Sequence, residues 1–557
     1  MSDQIKIGRR TFLKGSAAAS ALLTLAACKK EDGSAAGGDA TAQAASGGAT
    51  VNYYINNPVS IDPFNVQEDQ GTQVCYQLFD SLTDYDYNAG EVVCKACTSY
   101  DANDDATQFT FHLVEGAKFH NGDPVNAEAF VRGWTRLVDP KTTDAPSDVS
   151  YHISMVKGYD ELVAGTTTEF AGLSAPDENT FVVELKEPYA DFPYVATHPA
   201  LAPVPQAALD DYQTYFLSPI GNGAFKMDGK WEDGQYINLV RNDDYYGDKP
   251  SIAGINFNIQ KDVETAYREF QAGNLDFCDI PTAQIDEAKS TYGESEDGYT
   301  VTPGAQALFG EEPSLYYLTV NNTDETMKDI NLRRAISLAI NRQSICDNIF
   351  MGVRAPADNM IPPGIAGYEE GVWEYAHYDK DAAVKLLDEH YPADANGRRG
   401  VSITLSFNSD GSHKEIMEHV QADLDAVGLD VTLDSSEWAA YLDQLQNLEY
   451  QIGRLGWIAD YPIMDNFLYP MFYTGNGDNR SGFSDPEVDE ALLAARQTVD
   501  DDERIANLQA VNKQISEAFP VIPLLFYKHN FVGGERIQEA YMDPAKKCHF
   551  ESMTVTE

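Results

Sequence analysis

Between Val401 and Leu433 the apolar pattern changes period twice. Val401, Ile403, Leu405 and Phe407 alternate as a strand with one buried face does, and Ile416, Val420, Leu424 and Val427 then fall at helical spacing. Gly428 stands where a helix needs a C-terminal cap, after which Leu429, Val431 and Leu433 alternate again. Strand, helix and strand in that order favour parallel pairing through a crossover, which places the chain in the α/β class. At 557 residues it is too long for one core, since single cores stop growing near ~250–300 residues, so two or more lobes are expected.

The rest of the chain repeats this alternation of elements. Val51–Ile55 reads as a strand, and Gln73–Leu82 as a helix with Val74, Leu78 and Leu82 on one stripe. Phe109, Phe111 and Leu113 mark a half-buried strand. Asn126 suits an N-cap, with Phe130, Trp134 and Leu137 on the buried face of the helix that follows. Gly221-x-Gly223 lacks the third glycine or the Gly-Lys-Ser/Thr ending of a phosphate loop and reads as a hairpin. Glu264–Ala272 is a helix closed by Gly273, and Leu275–Ile280 a strand. Tyr316–Asn322 is another strand, leading to a helix over Leu332–Arg342 whose Arg333-Arg334 pair reads as a solvated face.

One stretch offers chemistry as well as structure. In Arg454-Leu455-Gly456-Trp457-Ile458-Ala459-Asp460-Tyr461-Pro462, an extended segment puts Arg454, Gly456, Ile458 and Asp460 on one face and Leu455, Trp457 and Ala459 on the other. Gly456 leaves room for another backbone, and a strand rim with free N–H and C=O groups can accept an added strand. A free peptide is a zwitterion with a repeating backbone, and this segment holds a partner for its ammonium, its carboxylate and its amides. The same residues also suit plainer roles: Asp460 in a turn, Arg454 as a solvated charge, Trp457 in a core.

The N-terminus reads as an address. Gly8-Arg9-Arg10-Thr11-Phe12-Leu13-Lys14 precedes an apolar run from Ala17 to Ala27 that is too short to span a bilayer. The paired arginines suggest twin-arginine export, and Leu25-Ala26-Ala27-Cys28 looks like a lipobox, with Cys28 lipidated. Residues 31–49 are small and polar and read as a tether. The other cysteines, Cys75, Cys94, Cys97, Cys278, Cys346 and Cys548, are even in number. Cys94-Lys95-Ala96-Cys97 is the single CxxC and suits a disulfide better than a zinc site, with the pairing open. A net charge of -49 repels nucleic acid and anionic lipid, leaving small ligands or proteins as partners.

Taken in order, Phe119–Trp134 ending in Asp139-Pro140, Ile220–Lys226 with Trp231 and Arg241-Asn242, the Tyr316–Arg342 pair of elements and the Gly456–Tyr461 run resemble the oligopeptide-binding proteins of ABC importers, the family 5 extracellular solute-binding proteins. The resemblance extends from Val51 to about Val532. It implies a two-lobed periplasmic-binding-protein type II fold with an extra domain inserted in the first lobe and a hinged cleft. The segments expected are a signal peptide at 1–27, a lipidated tether at 28–49, lobe I at 50–80, 205–310 and 529–557, an inserted lobe II at 81–204, and lobe III at 311–528. By the same resemblance Asp460 grips a peptide α-ammonium, while Arg454, Trp457 and Trp438 belong to the ligand pocket. Gly456 and Ile458 would pair with the peptide backbone, Tyr527 would face the cleft, and Gln67–Gln70 is a further contact segment. The resemblance implies no cofactor or metal, and as partners oligopeptides, an importer's permease and ATPase, and the membrane through the N-terminal lipid, with the chain a monomer on the outer face.

The same fold carries nickel, haem and sugar binders elsewhere, so the fold alone leaves the ligand open. A secreted hydrolase is the rival of another class. The chain has no Gly-x-Ser-x-Gly elbow and no His-Glu-x-x-His pair, and His413 and His419 are poorly spaced for a shared metal. A chemosensory lipoprotein using the same cleft would differ only in its membrane partner.

Overall fold

The computed structural model describes residues 48–66, 69–142, 147, 149–409 and 413–556, apart from the side chains of residues 438 and 439. The strand–helix–strand unit is present as expected. Strands Ser402–Asn408 and Asp430–Ser436 pair in parallel from Ser402↔Asp430 to Asn408↔Ser436, and helix His413–Asp425 between them buries Ile416, Val420 and Leu424. This unit forms one edge of a six-stranded mixed sheet, whose central strands are Glu311–Val320 and Ile452–Ile458.

A seven-stranded sheet is assembled from distant parts of the chain: Thr50–Ile55, Phe225–Met227, Tyr236–Arg241, Gly254–Ile259, Phe277–Asp279, Ala307–Leu308 and Phe531–Gly533. Between its first two strands in sequence, residues 97–184 contribute a separate four-stranded antiparallel sheet. These two sheets share one apolar core, running from Val51 through Phe111, Trp134 and Phe181 to Phe257 and Met553. The six-stranded sheet has its own core around Tyr316, Trp373, Leu405 and Phe467.

The chain passes between the seven- and six-stranded sheets at residues 309–310 and again at 529–530. His529 stitches the two crossings together. Its backbone N–H donates to the Gly310 carbonyl at 2.7 Å, and its ring, fully buried, meets Glu312 at 3.2 Å and the Asp543 carbonyl at 2.9 Å. Two adjacent crossings tied by a buried contact therefore connect the two sheets.

Several local expectations are corrected. The first helix runs over Asp69–Leu78 and stops before Leu82, because the backbone there is taken by another segment. The Gly223 N–H donates to the Leu78 carbonyl at 2.8 Å, and the Asp80 N–H to Asn222 Oδ1 at 3.0 Å. A Cβ on Gly221 would lie 1.8 Å from the Leu78 oxygen, so Gly221-x-Gly223 is a close-packing bend entering Phe225–Met227 and not a hairpin. The predicted helix over Leu332–Arg342 breaks at Ile340-Asn341 into Ile330–Ala339 and Arg342–Ile349. Arg333 is not solvated: it is buried, and its guanidinium caps the carbonyls of Met327, Ala518 and Phe519 at 2.7–2.9 Å. Cys28 and the arginine-rich export segment lie outside the described residues.

Candidate ligand-binding site

The strand Ile452–Ile458 pairs along its whole length with Glu311–Val320, from Val320↔Ile452 to Ser314↔Ile458. Just beyond it the Ala459 N–H donates to the Pro313 carbonyl at 3.0 Å. Alternation in an antiparallel ladder then turns the amides of Leu455, Trp457 and Ala459 toward that neighbour and those of Arg454, Gly456 and Ile458 away from it. On the far side, Ser402–Asn408 pairs only as far as Ser406↔Gly453, and the Arg454 carbonyl is capped by the Tyr441 hydroxyl at 2.7 Å. From Gly456 to Ile458, no strand among the described residues continues the sheet on that side.

This open edge runs between two cavities. One, of about 470 Å³, is bounded by Asp460, Ile458, Ser314, Tyr151, His152 and His198. Ile458 is 66% exposed there, so its side chain is free to meet a ligand. The other, of about 950 Å³, is bounded by Arg454, Tyr527, Arg354 and His413 on one side and by Tyr267 and Arg268 of the seven-stranded region on the other. Six residue steps lead from Arg454 to Asp460, the first four of them within the strand, a span of up to ~20 Å at ~3.3 Å per step.

Asp460 is positioned by Asn466, which is buried in the first turn of helix Met464–Phe472. Asn466 Nδ2 donates to Asp460 Oδ2 at 3.0 Å, while Asn466 Oδ1 accepts the Asp460 backbone N–H and the Trp457 indole N–H, each at 3.1 Å. Burial raises the Asp460 carboxyl pKa, and the bond from Asn466 and the field of His198 offset this only in part. The nearby imidazoles bring no full charge. His152 and His198 stack with centroids 4.0 Å apart; burial pushes His152 down to about 3 and His198 well below its ordinary value. His198 Nδ1 also accepts the Ala200 N–H at 3.2 Å. Asp460 makes no ion pair among the described residues, so a carboxylate with no cation beside it faces a cavity.

The opposite end carries the opposite charge. Arg454 lies with its guanidinium carbon 4.9 Å from the Tyr316 ring and donates to Asn408 Oδ1 at 3.2 Å. Arg354 is sandwiched between Phe350 and Tyr527, at 3.9 and 4.1 Å from the ring centroids. Burial lowers the Arg354 pKa, with the fields of Tyr527 and Glu312 opposing. Glu312 is engaged elsewhere: burial raises its pKa, but Lys546 at 3.4 Å and the His529 ring outweigh that and hold it at about 2.

Gly456 sits between the two ends. A Cβ there would lie 3.2 Å from the Tyr527 hydroxyl and 3.5 Å from the Leu315 carbonyl, so the absent side chain keeps the edge open. Trp457 points to the other face, half-buried against the core of the six-stranded lobe, where its indole braces Asn466. Trp438 opens the helix Trp438–Gln446, with its side chain outside the described residues. Gln67 also lies outside them, whereas Asp69 lines the cavity of Asp460. Asn466, His198 and Arg354 were not foreseen as site residues. Asn466 had a signal, lying six positions after Asp460, but His198 and Arg354 reach the cleft only through the fold. Among the described residues no cluster of metal-ligating side chains occurs, and no helix is long and apolar enough to cross a membrane.

Comparison with known proteins adds family and fold. The family model described as bacterial extracellular solute-binding proteins, family 5 middle, matches residues 91–479. The oligopeptide-binding protein OppA of Bacillus subtilis is 27% identical over 521 residues, covering 91% of this chain and 92% of its own. The murein tripeptide-binding protein MppA of Escherichia coli superposes with a TM-score of 0.73 at 23% identity, over 92% of this chain and 99% of its own. OppA of Haemophilus influenzae, solved in complex with the peptide RPPGFSPFR, gives 0.71 at 24% identity, over 91% and 99%. These matches identify the fold as the two-lobed α/β architecture of periplasmic peptide-binding proteins.

Proposed function

Because the chain belongs to the bacterial extracellular solute-binding proteins of family 5, we propose that it captures short oligopeptides in extended form along the Gly456–Ile458 edge and delivers them to an ABC importer. The observation that carries this reading is the pairing of one open sheet edge with opposite, uncompensated charges at its two ends: Asp460 in one cavity, Arg454 and Arg354 in the other. A linear zwitterion with amides between its termini is the complement of that arrangement. Main-chain pairing supplies affinity without regard to sequence, and the two cavities take side chains.

In this reading Asp460 holds the peptide ammonium. The free amides of Gly456 and Ile458 pair with its backbone, Ile458 and Tyr527 contact its side chains, and Arg454 meets the carboxylate of a peptide long enough to reach it. At ~3.3–3.6 Å per extended residue, a span of up to ~20 Å corresponds to at most roughly five or six residues. The relatives support the ligand class, OppA of Bacillus subtilis being named for oligopeptide binding. Closure about the crossings at 309–310 and 529–530 would bury the ligand and form the surface an importer recognises. Export through the arginine-rich leader, anchoring through Cys28, action as a monomer, and Trp438 as a pocket wall complete the proposal, while Trp457, on the other face of the strand, acts only through Asn466, which it braces.

Calorimetry with a set of free peptides and their N-acetylated twins tests it. Free peptides are expected to bind and acetylated ones to bind at least about tenfold more weakly, since acetylation deletes the charge that Asp460 faces. If no free peptide of two to eight residues binds, the cleft serves another solute.

A further inference from the structure

One peptide carboxylate is satisfied by one guanidinium, yet the larger cavity is lined by three, those of Arg268, Arg354 and Arg454, none with a carboxylate partner among the described residues; Arg268 is exposed at its margin, which leaves Arg354 and Arg454 inside. Arg454 belongs to the open-edge strand and leans on Tyr316. Arg354 arrives separately, from the loop between helix Arg342–Ile349 and strand Ala355–Pro356, and both of its faces are covered by aromatic rings. A guanidinium stacked on both faces has only its N–H edge left for bonding, and that edge points in the plane a carboxylate would occupy. Tyr316 and Tyr527, the rings beneath the two arginines, have centroids 6.5 Å apart, so the two cations are neighbours and not alternatives at distant sites. Two adjacent cations held in a partly dry chamber repel each other and are costly without anions. The acidic side chains lining the same chamber, Glu264 and Glu415, are exposed, and neither forms an ion pair with Arg354 or Arg454.

We propose that this chamber takes two carboxylates at once and that Arg354 makes the protein selective for peptides whose C-terminal residue is acidic. The inference rests on the peptide-binding reading above and specifies its substrate class. Arg454 would take the main-chain carboxylate and Arg354 the side-chain carboxylate of a terminal glutamate or aspartate, each through charge-assisted N–H···O bonds.

The test uses alanine-based penta- and hexapeptides that end in glutamate, in glutamine, or in glutamate with an amidated C-terminus, titrated calorimetrically into the wild-type protein and into Arg354→Gln. Wild type is expected to bind the glutamate peptide at least about tenfold more tightly than the glutamine peptide, and amidation is expected to weaken binding by a similar factor. In Arg354→Gln the glutamate-to-glutamine ratio should collapse to below about threefold. Equal wild-type affinities for the glutamate and glutamine peptides overturn the proposal without any variant, as does a ratio that survives in Arg354→Gln. If neither peptide binds wild type, the peptide reading itself falls and this inference with it. Binding of both at equal strength removes the selectivity alone.

Discussion

Replacing Asp460 with asparagine should weaken peptide binding while making the empty protein more stable, a combination that damage to the fold does not produce. The substitution keeps the shape of the side chain and the acceptor for Asn466 Nδ2, so the bracing of the site survives. What it deletes is a negative charge that burial disfavours, as the raised carboxyl pKa records. A raised folded pKa means that stability is fullest below the unfolded value near 3.9 and declines as pH rises through the folded value. At neutral pH the native protein therefore bears a cost that the amide lacks. On binding the sign reverses. An ammonium bonded to the carboxylate contributes about 1.5–3 kcal/mol, and a ligand charge stranded beside an amide in a closed cleft costs about 3–5 kcal/mol. At 1.4 kcal/mol per factor of ten, affinity should fall at least about tenfold. The ligand ammonium also favours the charged carboxylate, so wild-type binding should release protons and weaken as pH falls through the raised pKa, and both effects should vanish in Asp460→Asn. Calorimetry in buffers of different ionisation enthalpy, with thermal unfolding of the ligand-free proteins, measures all of this. An Asp460→Asn protein that binds free peptides within threefold of wild type would refute the reasoning.

Other contacts make independent predictions. Asp191 in the segment after the four-stranded sheet meets Arg504 of helix Asp501–Ala518 at 2.7 Å, with both side chains buried. Burial raises Asp191 to about 7 even against the field of Arg504, so Arg504→Met should destabilise the protein by about 3 kcal/mol, with Asp191→Asn in the same chain restoring part of it; an unchanged unfolding midpoint in Arg504→Met would discount the pair. His152 is held neutral by burial, at about 3 against an unfolded value near 6.5, so its contribution to stability is present above pH ~6.5 and is lost as pH falls toward 3. Asp191 and Asp279, both raised to about 7, act in the opposite direction. The stability of His152→Phe should accordingly decline less on acidification than that of wild type, by up to about 1.4 kcal/mol per pH unit in urea titrations from pH 7 to 5, and parallel curves would count against it. Cys94 and Cys97 bring their sulfurs within 2.6 Å of each other, and mass spectrometry of alkylated, unreduced protein from an oxidising compartment should find both unmodified by the thiol reagent; alkylation at either would exclude that bond.

The elements of the fold were legible wherever one strong local pattern decided them. The Val401–Leu433 unit, the capped helix Ala127–Val138 and the alternating strand Gln108–Leu113 all formed where periodicity predicted. Their failures share a cause. Helix Asp69–Leu78 ends early because the Gly223 N–H takes its last carbonyl, with Gly221 packed against the same oxygen. Arg333 is buried because the chain some 185 residues later offers it bare carbonyls. No local pattern records a partner that remote.

The candidate site divides along the same line. The sequence by itself determined the alternation of Arg454, Gly456, Ile458 and Asp460 along one face, because a strand's period of two is a local property. It also placed Asn466 close enough in the chain to brace Asp460. Only the tertiary structure decided that the edge beside Gly456 is open, since that depends on where Ser402–Asn408 stops pairing. The fold alone brought the neutral His152 and His198 against Asp460, and Arg354 beside Tyr527. A charge acquires its meaning from what surrounds it, and burial and neighbouring fields are set by segments hundreds of residues apart.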